Sequence, residues 1–182
     1  MESGVPKRIH IIGSIGSGKT TLARELSAQL QLPCFELDNV VRERLPTGDV
    51  MRTAEERDAY LADIIEKDCW IIEGVHQKWV VPSFQKADLI IFLDIGMTTR
   101  RFRIIKRYFR QKAGLENSNY TPTLEILVRL YKYNTVFEYE RKPIVLEMLR
   151  PFEGKLVVLK SDAEIMDYLA SLIKDSKLKE IG

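Results

Sequence analysis

Gly13-Ser14-Ile15-Gly16-Ser17-Gly18-Lys19-Thr20 carries the spacing Gly-x-x-x-x-Gly-Lys-Thr, which commits the chain around it to a strand–loop–helix unit. Glycine permits the tight turns that expose consecutive backbone N–H groups to an anion. A lysine at this spacing reaches β- and γ-phosphates, and a threonine hydroxyl is placed to ligate Mg²⁺. The flanks agree with the motif. Arg8–Ile12 is a short apolar run rich in β-branched residues, and Leu22, Leu26 and Leu30 recur on one face of a following helix. Gly13, Ser14, Gly16, Ser17, Gly18, Lys19, Thr20 and Thr21 are therefore the expected triphosphate-binding residues, and the implied ligands are ATP and Mg²⁺.

The 182 residues, 45% of them hydrophobic, suit a single compact domain over 1–182. A net charge of +2 is too balanced for a bulk nucleic-acid-binding signature. Cys34 and Cys69 make no disulfide framework and read as reduced thiols at strand starts, which points to a cytoplasmic location. No apolar stretch approaches the roughly 20 residues of a membrane span.

Five strands are predicted, at Arg8–Ile12, Cys34–Leu37, Trp70–Glu73, Leu89–Leu93 and Leu156–Leu159, with helical stretches between them. That alternation predicts an α/β fold, a parallel sheet with helices on both faces. Thr53-x-x-Glu56 and Ser161-x-x-Glu164 are capping boxes opening two helices. Pro46 and Gly48 mark a mobile-looking connection from Arg44 to Thr53, and Thr121-Pro122 predicts a helix start. Helical periodicity from Thr123 to Leu149 is broken near Pro143. The segment 113–149 is an insertion before the last strand, either a closing lid or a plain packing element.

Ligands of open parallel sheets bind beyond the carboxyl ends of the strands. The second strand ends at Asp38, where a carboxylate either orients an acceptor hydroxyl or caps the next helix. The third ends Glu73-Gly74, an acid that needs a charged partner if it is buried. The fourth ends at Asp94 after an apolar run, the shape of a Walker B strand. Glu73 and Asp94 thus compete for the Mg²⁺ site. His76 reads as a solvent-facing loop histidine, with contact to the acceptor as the alternative, and His10 as structural. From Arg100 to Lys112 there are seven basic residues and no acids, with Arg100, Arg103, Arg107 and Arg110 on one stripe. Arginine suits a bidentate grip on phosphoryl oxygens, so at least two of these four are expected at the nucleotide, the plainer alternative being a solvated basic face.

The loop GSIGSGKT, Leu37-Asp38, Glu73-Gly74 and Leu93-Asp94 with its spaced arginines resemble the adenylate-kinase-like P-loop kinases. LDNVVRER, IIEGVHQKWV, ADLIIFLD and RFRIIKRYFRQK are similar to small bacterial DNA topology modulation proteins of the FlaR type. The resemblance implies a three-layer P-loop NTPase fold with sheet order 2-3-1-4-5. It moves the metal assignment to Thr20 and Glu73, with Asp94 as runner-up. By the same match Arg103 packs on the donor base, Arg107 clamps phosphates from a lid, and Lys160-Ser161-Asp162 lines the adenine. Gly74 is followed by Val75-His76-Gln77 rather than Phe-Pro-Arg, a departure from nucleoside monophosphate kinases that leaves the acceptor open.

The activity expected is ATP- and Mg²⁺-dependent phosphoryl transfer to a nucleotide or small-molecule acceptor. Lys19, Asp38, Arg107 and Arg110 are its candidate catalytic residues. The alternatives are a nucleotide-binding regulator that engages DNA through the 100–112 helix, and an NTP hydrolase with no acceptor but water.

Overall fold

The computed structural model describes residues 5–45, 48–116 and 121–180, with side chains to 176. Strands β1 (Arg8–Gly13), β2 (Cys34–Glu36), β5 (Trp70–Glu73), β6 (Leu89–Leu93) and β7 (Leu156–Leu159) form one parallel sheet in the order β2-β5-β1-β6-β7. Counted over these five alone, that is the order 2-3-1-4-5. The remaining strands, β3 (Arg42–Leu45) and β4 (Gly48–Met51), make a separate antiparallel hairpin.

The alternation of side chains along each strand divides the core in two. Ile9, Ile11, Ile71, Ile91 and Leu93 face α1 (Lys19–Leu30) and α8 (Asp162–Glu180). Ile12, Trp70, Ile72, Ile90 and Phe92 face the opposite layer. That layer comprises α2 (Leu37–Val41), α3 (Ala54–Ile65), α4 (Val81–Lys86), a π-helical turn (Phe137–Arg141) and α7 (Lys142–Leu149). The remaining helices are α5 (Met97–Lys112) and α6 (Leu124–Val136).

Several local expectations are corrected. The connection expected from Arg44 to Thr53 overlaps the β3–β4 hairpin, whose described residues are all exposed, including Val50 and Met51. Its strands bury neither face, so no period-two pattern marks them. The helix expected to start at Thr121 is capped instead by Thr123, whose side chain accepts from Ile126 N–H. Thr53 and Glu56 do form the full capping box. The break near Pro143 is a π-helical turn ending at Arg141. Proline has no N–H to return to the preceding turn, and the extra residue of a π turn absorbs the mismatch. Phe137, Val145 and Leu149 are buried against Ile90 and Phe92, so the C-terminal half of the 113–149 segment is core. Among the described residues no helix is long and apolar enough to cross a membrane.

His10 sits inside β1 with no exposure, its ring edge-on to Phe84. Ser83 Oγ donates to Val80 O at 2.6 Å and so accepts from His10 Nδ1 at 2.8 Å, which assigns the proton to Nδ1. Burial, and next the charge of His76, pushes the imidazole down to about 3. The folded state therefore keeps His10 neutral while the unfolded chain protonates it near its ordinary value. Its stabilisation is complete above that value and is lost as pH falls towards the folded one. Between pH 7 and pH 5 the loss should be about 2 kcal/mol. Denaturant melts at the two pH values should show this in the parent and a much shallower dependence in His10→Gln.

Candidate active site

The loop begins where β1 ends, with Gly13 paired to Leu93 of β6. Ser17 N–H donates to Ser14 O at 3.2 Å, closing a tight turn. Gly16 has φ +76°, and a Cβ there would stand 2.8 Å from the Arg100 carbonyl oxygen. Only glycine fits that position. α1 starts at Lys19 with no side-chain cap and no acid of its own in the first turn, so its N–H groups and positive dipole end are available to an anion. Such an end is a ready phosphate site. The Ser14 and Ser17 hydroxyls are buried there without a partner, and Thr21 is exposed on the next position.

The parallel register sets Ile11 of β1 opposite Glu73 of β5, which brings the Glu73 carboxylate to the first turn of α1. Thr20 Oγ1 donates to Glu73 Oε1 at 2.6 Å. Lys19 Nζ lies 3.9 Å from Glu73 Oε2 and donates to Ser14 O at 3.5 Å, folded back across the loop. Glu73 is 5% exposed and its Oε2 has no hydrogen bond. A buried carboxylate oxygen left so is costly unless a cation meets it. Hydroxyl and carboxylate oxygens are the donors Mg²⁺ takes, and it commonly completes its shell with substrate phosphates and water. Thr20 and Glu73 fit that ion. Asp94, the other strand-end acid, pairs instead with Lys142 Nζ at 2.6 Å.

Because β2 and β5 are neighbours, with Glu36 opposite Glu73, the two chain exits beyond them also meet. Asp38 stands in the first turn of α2, largely exposed, with His76 Nε2 3.3 Å from its Oδ1. The His76 hydrogen bond holds the Asp38 carboxyl below its usual range against the opposing effect of burial, and the charges of His76, Lys19 and Arg42 add weaker pulls in the same direction. Asp38 is thus an anion at neutral pH. His76 packs on Trp79, with ring centroids 5.2 Å apart, so it is a held side chain rather than a free loop histidine. Its place was available from the motif once β2 and β5 were adjacent. Tyr133 of α6 also senses the Asp38 charge and accepts from Arg141 Nη1 at 2.9 Å. Gly74 makes room for α2 rather than for a ligand, since a Cβ on it would stand 2.7 Å from Leu37 Cβ.

The arginine helix divides its residues. Arg103 Nη1 donates to Gly16 O at 3.1 Å and Ser17 O at 3.0 Å, and its Nη2 pairs with Asp162. Arg103 and the 160–162 turn, the two features matched to the adenine pocket, are therefore in contact. Arg100 does not share this face. It is 1% exposed, pairs with Glu138 and lies 5.4 Å from the Phe137 ring centroid. Arg107 and Arg110 both reach Glu116, at 3.1 and 3.3 Å, and the structure does not bring them to the loop.

A family model described as an AAA domain matches residues 9–120, from β1 through the loop to beyond α5. The chain belongs to this AAA domain family. None of the curated proteins matches it. Among solved structures, a shikimate kinase from Acinetobacter baumannii in complex with shikimate aligns over 97% of this chain and 96% of that one, at 16% identity and TM-score 0.56. A shikimate kinase from Bacteroides thetaiotaomicron aligns over 93% and 97%, at 14% identity and TM-score 0.50. These likenesses show that the AAA domain has the small P-loop kinase fold. They also extend it through α6, α7 and β7, beyond the segment the family model covers.

Glu73→Gln keeps an acceptor for Thr20 but removes the charge. Calorimetric titration should show Mg²⁺-ADP binding weakened by about tenfold or more, with the melting temperature close to the parent's. Unchanged affinity would remove Glu73 from the metal site.

Proposed function

We propose that the protein is an ATP- and Mg²⁺-dependent phosphotransferase whose acceptor is a hydroxyl-bearing small molecule. The observation that carries this reading is a pair of carboxylates, one at the end of β5 and one just beyond the neighbouring β2, with different surroundings. Glu73 is buried against Lys19 and Thr20, on the donor side. Asp38 is exposed beside His76, in the first turn of α2. An anion at Asp38 would repel a phosphate acceptor and attract a hydroxyl, which favours a hydroxyl acceptor over a nucleoside monophosphate. The A. baumannii shikimate kinase, crystallised with shikimate, supports a small-molecule rather than a nucleotide acceptor. The finer likeness to FlaR-type proteins specifies no reaction.

In this mechanism the loop N–H groups and Lys19 hold the β- and γ-phosphates, and Arg103 braces the loop from behind. Thr20 and Glu73 hold Mg²⁺, which when bound offsets phosphate charge. Asp38, oriented by His76, accepts a hydrogen bond from the acceptor hydroxyl and aims its oxygen at the γ-phosphorus. As the new O–P bond forms, the bond from the γ-phosphorus to the bridging oxygen breaks to leave ADP, and the hydroxyl proton passes to Asp38. The transition state of such transfers is loose, so proton removal is late and a weakly basic carboxylate is sufficient. Catalysis is then mainly positioning and charge stabilisation.

Coupled ADP release measured across small polyols, hydroxy acids, nucleosides and nucleoside monophosphates tests the proposal. A hydroxyl compound should stimulate release severalfold over the acceptor-free rate. Lys19→Met should abolish the stimulated rate while leaving thermal unfolding near the parent's. Stimulation by nucleoside monophosphates alone would overturn the acceptor assignment, and an undiminished rate in Lys19→Met would overturn the reaction.

A further inference from the structure

Asn134 lies near the end of α6, 119 residues from the loop in sequence, and has no solvent exposure. Its Nδ2 donates to the Ile15 carbonyl oxygen at 3.2 Å. The opposite amide orientation would set two oxygens against each other, so the hydrogen bond itself fixes which atom faces the loop. Its Oδ1 is buried without a partner, a cost that something must offset.

We propose that Asn134 is a positioning residue for the nucleotide polyphosphate, acting through the Ile15–Gly16 peptide. This inference rests on the reading above that the loop holds the phosphates. In a planar trans peptide the C=O and the following N–H point in opposite directions. Holding the Ile15 carbonyl from behind therefore aims the Gly16 N–H into the concave side of the loop. Arg103 grips the carbonyls of the next two peptides, those of Gly16 and Ser17. The Ser17 N–H is used by Ser14 O. The N–H groups of Gly16 and Gly18 are the ones this arrangement leaves for an anion.

The asparagine is itself held in place by its neighbours. Arg101 donates to Thr135 Oγ1 at 2.8 Å and stacks over the Tyr131 ring, so α6 is fastened to α5 on both sides of position 134. The Arg100 carbonyl sits against Gly16 and blocks the loop from retreating. One helix thus contributes Asn134 to the donor loop.

The test compares the parent, Asn134→Leu and Lys19→Met by calorimetric titration with Mg²⁺-ATP. It also follows the ¹⁵N–¹H resonance of Gly16 in the parent and in Asn134→Leu on addition of Mg²⁺-ADP. Leucine keeps the branching of asparagine at Cγ, though it is larger, and has no donor. It should weaken Mg²⁺-ATP binding about tenfold, the scale of a lost oriented hydrogen bond to a charged group. The Gly16 amide proton should move downfield in the parent and markedly less in Asn134→Leu, a signature that loss of packing alone would not produce. Affinity within twofold of the parent in Asn134→Leu, with binding lost in Lys19→Met, would overturn this inference and leave the phosphate reading intact. Retained binding in Lys19→Met would overturn the reading beneath it. If Asn134→Leu does not fold, the parent alone decides: a Gly16 amide that stays fixed at saturating Mg²⁺-ADP overturns the proposal.

Discussion

The hydrogen bond from Thr20 to Glu73 joins two elements that the sequence separates by 53 positions, and the site depends on it. It exists because β5 pairs with β1 in parallel and in a register that places Glu73 beside Ile11. One residue of slip would turn the carboxylate to the other face of the sheet. The register is secured by buried isoleucines on both strands, so the hydrophobic core sets the position of the one acid that the loop requires. Glu73 is buried, carries an orphaned oxygen and stands within reach of a lysine. Such a group is costly to bury unless a cation meets it.

Behind the loop, α5 and α6 act as a rigid wall. Arg100 pairs with Glu138, Glu138 with Lys142, and Lys142 with Asp94, a charged chain from the π-helical turn to the end of β6. Buried charges are tolerated when paired in this way, and the pairing fixes where helix 97–112 begins. That start is what lays the Arg100 carbonyl against Gly16 and carries Arg103 to the loop. The stripe of arginines is consequently divided by depth. Its first member is structural, its second braces the loop, and its last two share Glu116 at the surface.

Much of this was legible in the residues. All five sheet strands, the loop and the Thr53 capping box follow from local patterns, because apolar runs and caps are short-range signals. The hairpin at 42–51 was not legible, since strands that bury no face carry no alternation. The roles of Arg100 and Asn134 were hidden for a different reason. Each is set by a partner remote in sequence: Glu138 and the Ile15 carbonyl. Helical periodicity placed Arg100 and Arg103 on one stripe, but the π-helical turn at Phe137 and Glu138 covers one edge of it. The meeting of Asp38 with His76 needed only the adjacency of β2 and β5, which the family resemblance already implied.

The most direct test of the central claim follows the γ-phosphoryl group itself. The protein is incubated with Mg²⁺ and ATP labelled at the γ-phosphate, together with a pool of small hydroxylated metabolites, and the products are separated. A phosphotransferase built as described should move the label into a phosphate ester of a small hydroxyl compound. Label recovered only as inorganic phosphate, at a rate indifferent to the added metabolites, would contradict it.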